Sequence, residues 1–168
     1  MLKHQPRIQE RADQPYLAIP LTVTMEGGFG EEVESGFSEL FGWLEEDGVA
    51  PAGAPFIRFL VIDMEGELEI ELAVPVAEGV SGEGRFRADV LPPGRYGTLL
   101  HVGPYDDLVA SNAALQDWAE EQGIVWDSWD TDSGSAWRGR VERYLTDPSV
   151  EPDPSKWEVE VAYLIADS

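Results

Sequence analysis

Glu142 and Tyr144 lie two apart in a stretch with strand character, so their side chains share one face. Val141, Arg143 and Leu145 point the other way. If the Glu142 face lines a cleft, a carboxylate stands beside a phenol. Desolvation would raise the pKa of that acid, and a bound cation would restore its charge. A buried, unpaired carboxylate is costly, so it would need a guest or a donor to explain it. The same acid could act as a general base on water, with Tyr144 or a Trp orienting a strained electrophile. On spacing alone, Glu142 also reads as one solvated strand acid among 33 Asp and Glu.

Glu160 is a second strand acid, on the face opposite Val159 and Val161, and could equally be solvated like Glu158. Tyr105 follows Gly103-Pro104 at a helix start, where it packs that end or lines a cleft. In the stretch from Val125 to Trp137, three Trp alternate with Asp, so Trp126, Trp129 or Trp137 could fold over a cleft as an aromatic wall. The alternative is a solvated loop. Phe59, on a central strand, faces the same cleft from the first half or belongs to the core. Aromatic faces beside an acid hold a planar cation at about 0.5–2 kcal/mol per ring.

Metal and cofactor chemistry find little support. His101 has no second His nearby and reads as a partly buried strand residue. Asp130, Asp132 and Gly134 hint at calcium, but the Gly falls one place early and the closing Glu of an EF-hand loop is missing. There is no Cys, no P-loop, no G-x-S-x-G elbow and no dinucleotide fingerprint, so neither metal nor cofactor is expected.

The chain that must position these residues has 168 of them, enough for a single domain with its own core. Lys and Arg number 11 against 33 acids, a net charge of −22. Such a surface repels phosphate, which argues against direct nucleic-acid or anionic-membrane binding. It suits solubility in salt, or the attraction of cationic ligands. The apolar runs are short and the N-terminus lacks an apolar stretch, so a cytoplasmic protein without a signal peptide is expected.

Periodicity predicts strands at Tyr16 to Met25, Phe56 to Asp63, Glu67 to Val76, Arg85 to Leu91, Arg95 to Val102, Trp137 to Thr146 and Trp157 to Ala166. Helices are predicted from Phe29 to Asp47 and from Tyr105 to Gln122, ended by Gly48 and Gly123. Gly27 and Gly28 break the chain before the first helix, and Met64-Glu65-Gly66 is read as a turn. In the third strand Leu68, Ile70, Leu72, Val74 and Val76 should face the core, and Glu67, Glu69 and Glu71 water.

The helix endings Trp43-Leu44-Glu45-Glu46-Asp47-Gly48 and Trp118-Ala119-Glu120-Glu121-Gln122-Gly123 coincide at a constant offset of 75. Each half reads strand–helix–strand–strand, the first from about 14 to 78 and the second from about 85 to 166, after an extension of residues 1–13. One such half leaves a sheet face uncovered, so the two should pack about a pseudo-twofold axis. The expected fold is a single α+β domain with a mainly antiparallel sheet, helices on one side and a cleft between the repeats.

Five stretches of the second half are specific in combination. They are Leu91-Pro92-Pro93-Gly94-Arg95-Tyr96, His101-Val102-Gly103-Pro104-Tyr105-Asp106-Asp107-Leu108, the helix with Trp118, Glu142-Arg143-Tyr144-Leu145-Thr146-Asp147-Pro148, and Trp157-Glu158-Val159-Glu160-Val161. This order resembles the GyrI-like small-molecule-binding domain, which also serves as the effector-binding part of AraC-type and MerR-type regulators. The resemblance spans about Gln14 to Ala166 and points to the stand-alone form. It implies a lipophilic, often cationic ligand between the repeats, with the Glu of the Glu-x-Tyr strand, Glu142, as its acidic partner. Some stand-alone relatives hydrolyse cyclopropane-bearing genotoxins. Others bind DNA gyrase, which here would make the acidic surface a DNA mimic and add a protein partner.

Overall fold

The computed structural model describes residues 5–24, 29–63 and 66–166. Met25, Gly27 and Gly28, and Met64 and Glu65 of the expected turn, lie outside the described residues. Among the described residues, ten strands and two α-helices form an α+β fold with one curled antiparallel sheet. In chain order they are β1 (Arg7–Arg11), β2 (Gln14–Thr24), α1 (Phe29–Glu46), β3 (Phe56–Ile62), β4 (Glu67–Pro75), β5 (Arg87–Leu91), β6 (Gly94–Val102), α2 (Leu108–Gln122), β7 (Ser128–Thr131), β8 (Gly134–Trp137), β9 (Arg140–Tyr144) and β10 (Glu158–Leu164).

The sheet order is β1-β6-β10-β9-β3-β4-β2-β5, with the β7–β8 hairpin attached to β3. Exchanging the two halves reverses this order onto itself, so the pseudo-twofold axis runs between β9 and β3. There Ile57 faces Glu142 in register. Gly48 and Gly123, at φ of 70° and 72°, close the two helices alike in a conformation that costs glycine little. The segment read as an extension supplies β1. It pairs with β6 of the second half, while β5 returns to pair with β2 of the first, so each half receives its edge strand from the other.

The helices cover one face of the sheet. There Leu40 and Leu44 of α1 pack on Leu17, Ile19 and Val74 of the sheet. Leu108 and Leu115 of α2 pack on Leu99, Val159, Val161 and Tyr163. At about 25 cal/mol per Å2, burial of these apolar side chains supplies the main driving force. The alternation along β4 holds for Leu68, Glu69, Ile70 and Leu72, but Glu71 departs from it. Glu71 is buried rather than solvated, because the sheet curls and its other face closes on itself around Tyr16, Phe56, Tyr96, Val141 and Leu164. Within that closed face Glu71 accepts from the Tyr16 hydroxyl, which itself accepts from Arg58 Nη1 at 2.7 Å.

Two further differences bear on the site. The second helix begins as a 3-10 turn at Tyr105–Asp107 and becomes α-helical at Leu108. The strand expected from Trp137 to Thr146 is broken at Arg138-Gly139, and the stretch expected as a polar loop forms the β7–β8 hairpin ahead of the break. Arg138 N donates to Asp127 O and Arg138 O accepts from Arg58, so its backbone leaves the ladder. The hairpin depends on Gly134, whose φ is +127° and where a Cβ would lie 2.4 Å from Ile62 O. Gly134→Ala should therefore cost about 1–3 kcal/mol, read as a lower urea midpoint.

Candidate functional site

β9 presents Arg140, Glu142 and Tyr144 on the helix-covered face, beside Tyr163, Val161 and Val159 of β10. Glu142 is partly buried and its carboxylate is fully engaged. Oε1 accepts from the Tyr144 hydroxyl at 2.9 Å, and Oε2 from Asn112 Nδ2 at 3.0 Å. Asn112 also donates to Leu108 O at 2.9 Å, and its Oδ1 accepts from the Tyr163 hydroxyl. A chain of polar groups thus runs from Tyr163 through Asn112 to Glu142 and Tyr144, set in an apolar lining.

Electrostatics follow from that lining. Burial holds the Glu142 carboxyl above the usual range, against the lowering effect of the Asn112 and Tyr144 bonds and of Arg140. Burial and the neighbouring carboxylate both raise Tyr144, so it stays a neutral donor. Burial lowers Arg140.

Aromatic rings gather around Tyr144 and Tyr163 at the seam between the halves. Tyr144 makes edge contacts with Phe37 of α1 at 6.5 Å and with Tyr105 at 5.6 Å. Tyr105 also packs on Trp157 at 4.8 Å. Phe59 shares a cluster with Tyr144 from the first half. Trp137 lies 5.2 Å from the Tyr163 ring. Glu142, Tyr144, Tyr105, Phe59 and Trp137 are therefore brought to one place. Trp126 is one ring removed, on the far side of Tyr163 and against Gly97.

Glu160 faces the opposite side of the sheet. It receives both Nη atoms of Arg11, at 2.6 and 2.7 Å, and lies 3.5 Å from Arg143 Nε. It is a structural ion-pair partner there, remote from the Glu142 face. Trp129 is exposed. His101 is buried, with Nε2–H donating to Pro104 O at 3.0 Å and Nδ1 accepting from the Ser111 hydroxyl at 2.7 Å; it ties α2 to β6. Two open recesses, beside Arg7, Thr98 and Glu160 and beside Ile8, Ile124 and Val125, do not reach Glu142.

Asn112 and Arg140 are the side chains beside Glu142 that spacing did not single out. Asn112 carries a signal: it stands four residues after Leu108 on the stripe that continues with Leu115 and Ala119. An amide at a core position of a helix is out of place unless it has a buried partner. Arg140 carries none, because the break at Arg138-Gly139 shifts the strand phase and brings Trp137 and Arg140 together.

The duplicated α+β fold with its curled antiparallel sheet is that of a known domain class. The GyrI-like small molecule binding domain model matches residues 4–164, and the chain belongs to that family. No curated protein matches it. Among solved structures, EcmrR in its DNA complex superposes with a TM-score of 0.78 at 18% identity, covering 98% of this chain and 58% of that one. The chain thus spans little more than half of that EcmrR chain. The EcmrR C-terminal domain gives 0.72 at 17% identity, covering 99% of this chain and all of that one. SAV2435 bound to tetraphenylphosphonium gives 0.60 at 12% identity, covering 97% and 94%. Among the described residues no helix is long and apolar enough to cross a membrane.

Proposed function

We propose that this domain binds a lipophilic aromatic cation at the seam of its two repeats, with Glu142 as the counter-charge. The observation that carries the reading is the position of Glu142: an acid pushed toward its neutral form by burial, bonded to Tyr144 and Asn112, beside rings that pack on Tyr144 and Tyr163. A cation beside it relieves the desolvation cost, and the ring faces add cation–π attraction. The fold likeness to a protein solved with tetraphenylphosphonium supports the choice of probe.

The test is a calorimetric titration with tetraphenylphosphonium and with tetraphenylborate, its anion of the same shape. The cation should bind and the anion should not. Glu142→Gln should weaken the cation by about 30-fold or more, the usual loss when one partner of a desolvated charge pair is removed. Equal binding of both ions, or an unchanged affinity in Glu142→Gln, rejects the reading.

The engagement of Glu142 by Tyr144 gives a second reading some footing. In its ionised form the Glu142 carboxylate, made more basic by burial, can take a proton from water as that water attacks a strained electrophile, and return it to the leaving carbon. Turnover of a cyclopropane-bearing substrate, lost in Glu142→Gln, separates catalysis from binding alone.

A further inference from the structure

Arg140 already stands where a cationic guest would lie. Its guanidinium carbon is 4.5 Å from the Trp137 ring centroid, 4.5 Å from that of Tyr163 and 5.9 Å from that of Phe59. The side chain is partly buried, yet it makes no hydrogen bond and no ion pair with any described residue. With no acceptor from these residues, the guanidinium nitrogens keep contact with water at the edge of the rings. Beside it the Trp137 Nε1–H is buried and lacks an acceptor among the described residues. Glu142 sits two residues along the same face of β9, attracting Arg140 without touching it. This cluster thus holds a cation gripped by ring faces and an indole donor with nothing to bind.

We infer that Arg140 is a resident cation that keeps the aromatic box filled until a guest expels it. This rests on the binding reading above and adds the rule of selection. Expulsion returns the guanidinium, already partly in contact with water, fully to solvent. The exchange therefore favours a guest that loses little hydration on entry: a bulky cation whose charge is spread over several rings. A guest that also carries a hydrogen-bond acceptor would answer the Trp137 N–H. Small, strongly hydrated ammonium ions gain too little from the rings to displace Arg140. Arg140 is on this account the residue that sets ligand specificity.

The experiment compares wild type, Arg140→Met, Arg140→Gln and Glu142→Gln, each titrated with tetraphenylphosphonium and with tetramethylammonium. Loss of the internal competitor should tighten tetraphenylphosphonium about tenfold in both Arg140 variants, the worth of the cation–π grip released. It should also let tetramethylammonium bind measurably where wild type excludes it. Unchanged or weaker affinity in both variants, with Glu142→Gln still weakening the cation about 30-fold or more, overturns the inference and leaves the binding site standing. Absence of binding in wild type and in both Arg140 variants overturns the binding reading itself. The wild-type complex decides independently of any variant's folding. In it Arg140 should have left the Trp137 and Tyr163 rings, and a complex in which it stays between them refutes the resident-cation role.

Discussion

Arg58→Met should lower the unfolding free energy by about 3–5 kcal/mol, as expected when one member of a buried charged group is removed. Arg58 is 9% exposed on the closed face of the sheet. Its Nη1 donates to the Tyr16 hydroxyl and its Nη2 to Arg138 O, both at 2.7 Å. Glu71 and Asp89 each lie 3.9 Å from Nη1. Burial, with Glu71 beside it, drives the Tyr16 hydroxyl far above the usual range, so Tyr16 remains a neutral donor to Glu71. Methionine fills much of the arginine volume but leaves Glu71 in the core with one phenol and no cation. The orphaned acid carries most of the loss. Converting the whole network, as Arg58→Met with Glu71→Leu and Tyr16→Phe, should therefore recover most of the stability, because it removes the buried charges and leaves only the Arg138 carbonyl without its donor. Urea unfolding of the single and triple variants measures both quantities. A triple variant as unstable as the single one would show that the loss comes from packing.

The same network marks where the amino-acid sequence stops being informative. Local signals gave α1 and α2, their glycine ends and the apolar stripe of β4, because each depends on residues within a few positions. The matching helix ends at Gly48 and Gly123 also revealed the duplication. Glu71 looked like its neighbours Glu67 and Glu69, since nothing local tells a strand that its far face will be enclosed. The exchange of edge strands is equally silent: β1 is two residues from β2 yet pairs with β6, and β5 is two residues from β6 yet pairs with β2. Pairing over such separations is decided by how the halves meet.

The site divides in the same way. The Glu142–Tyr144 spacing told that two side chains share a face, and family likeness gave that face a purpose. Asn112 was legible in retrospect as an amide on an apolar stripe. The meeting of Trp137 with Arg140 was not, because a two-residue break in a strand turns one side chain onto its neighbour's face without any change of composition.

Affinity for tetraphenylphosphonium should climb with pH and then level off, while the stability of the empty protein should lean the other way. Both follow from the Glu142 carboxyl, which burial lifts above its ordinary 4.5. Below that raised value the site is protonated, and a cation binds only by first expelling the proton. Affinity then falls toward about tenfold per pH unit, and binding releases up to one proton per guest. Above it the carboxylate is ready and the curve is flat. Calorimetry in two buffers of different ionisation enthalpy reads the released proton, which Glu142→Gln should abolish together with the slope. For folding the sign is reversed. Because the folded-state pKa exceeds the unfolded one, Glu142 favours the native state most below pH 4.5 and loses that contribution as pH rises through the raised value. Glutamine is never charged, so Glu142→Gln forgoes a hydrogen bond worth about 1 kcal/mol but escapes the cost of a desolvated charge. Its stability relative to wild type should improve from pH 4 to pH 8, in urea unfolding without ligand. A difference that is constant across this range, or that grows in favour of wild type, would mean that the acid is already well served in the empty site and gains little from a cation.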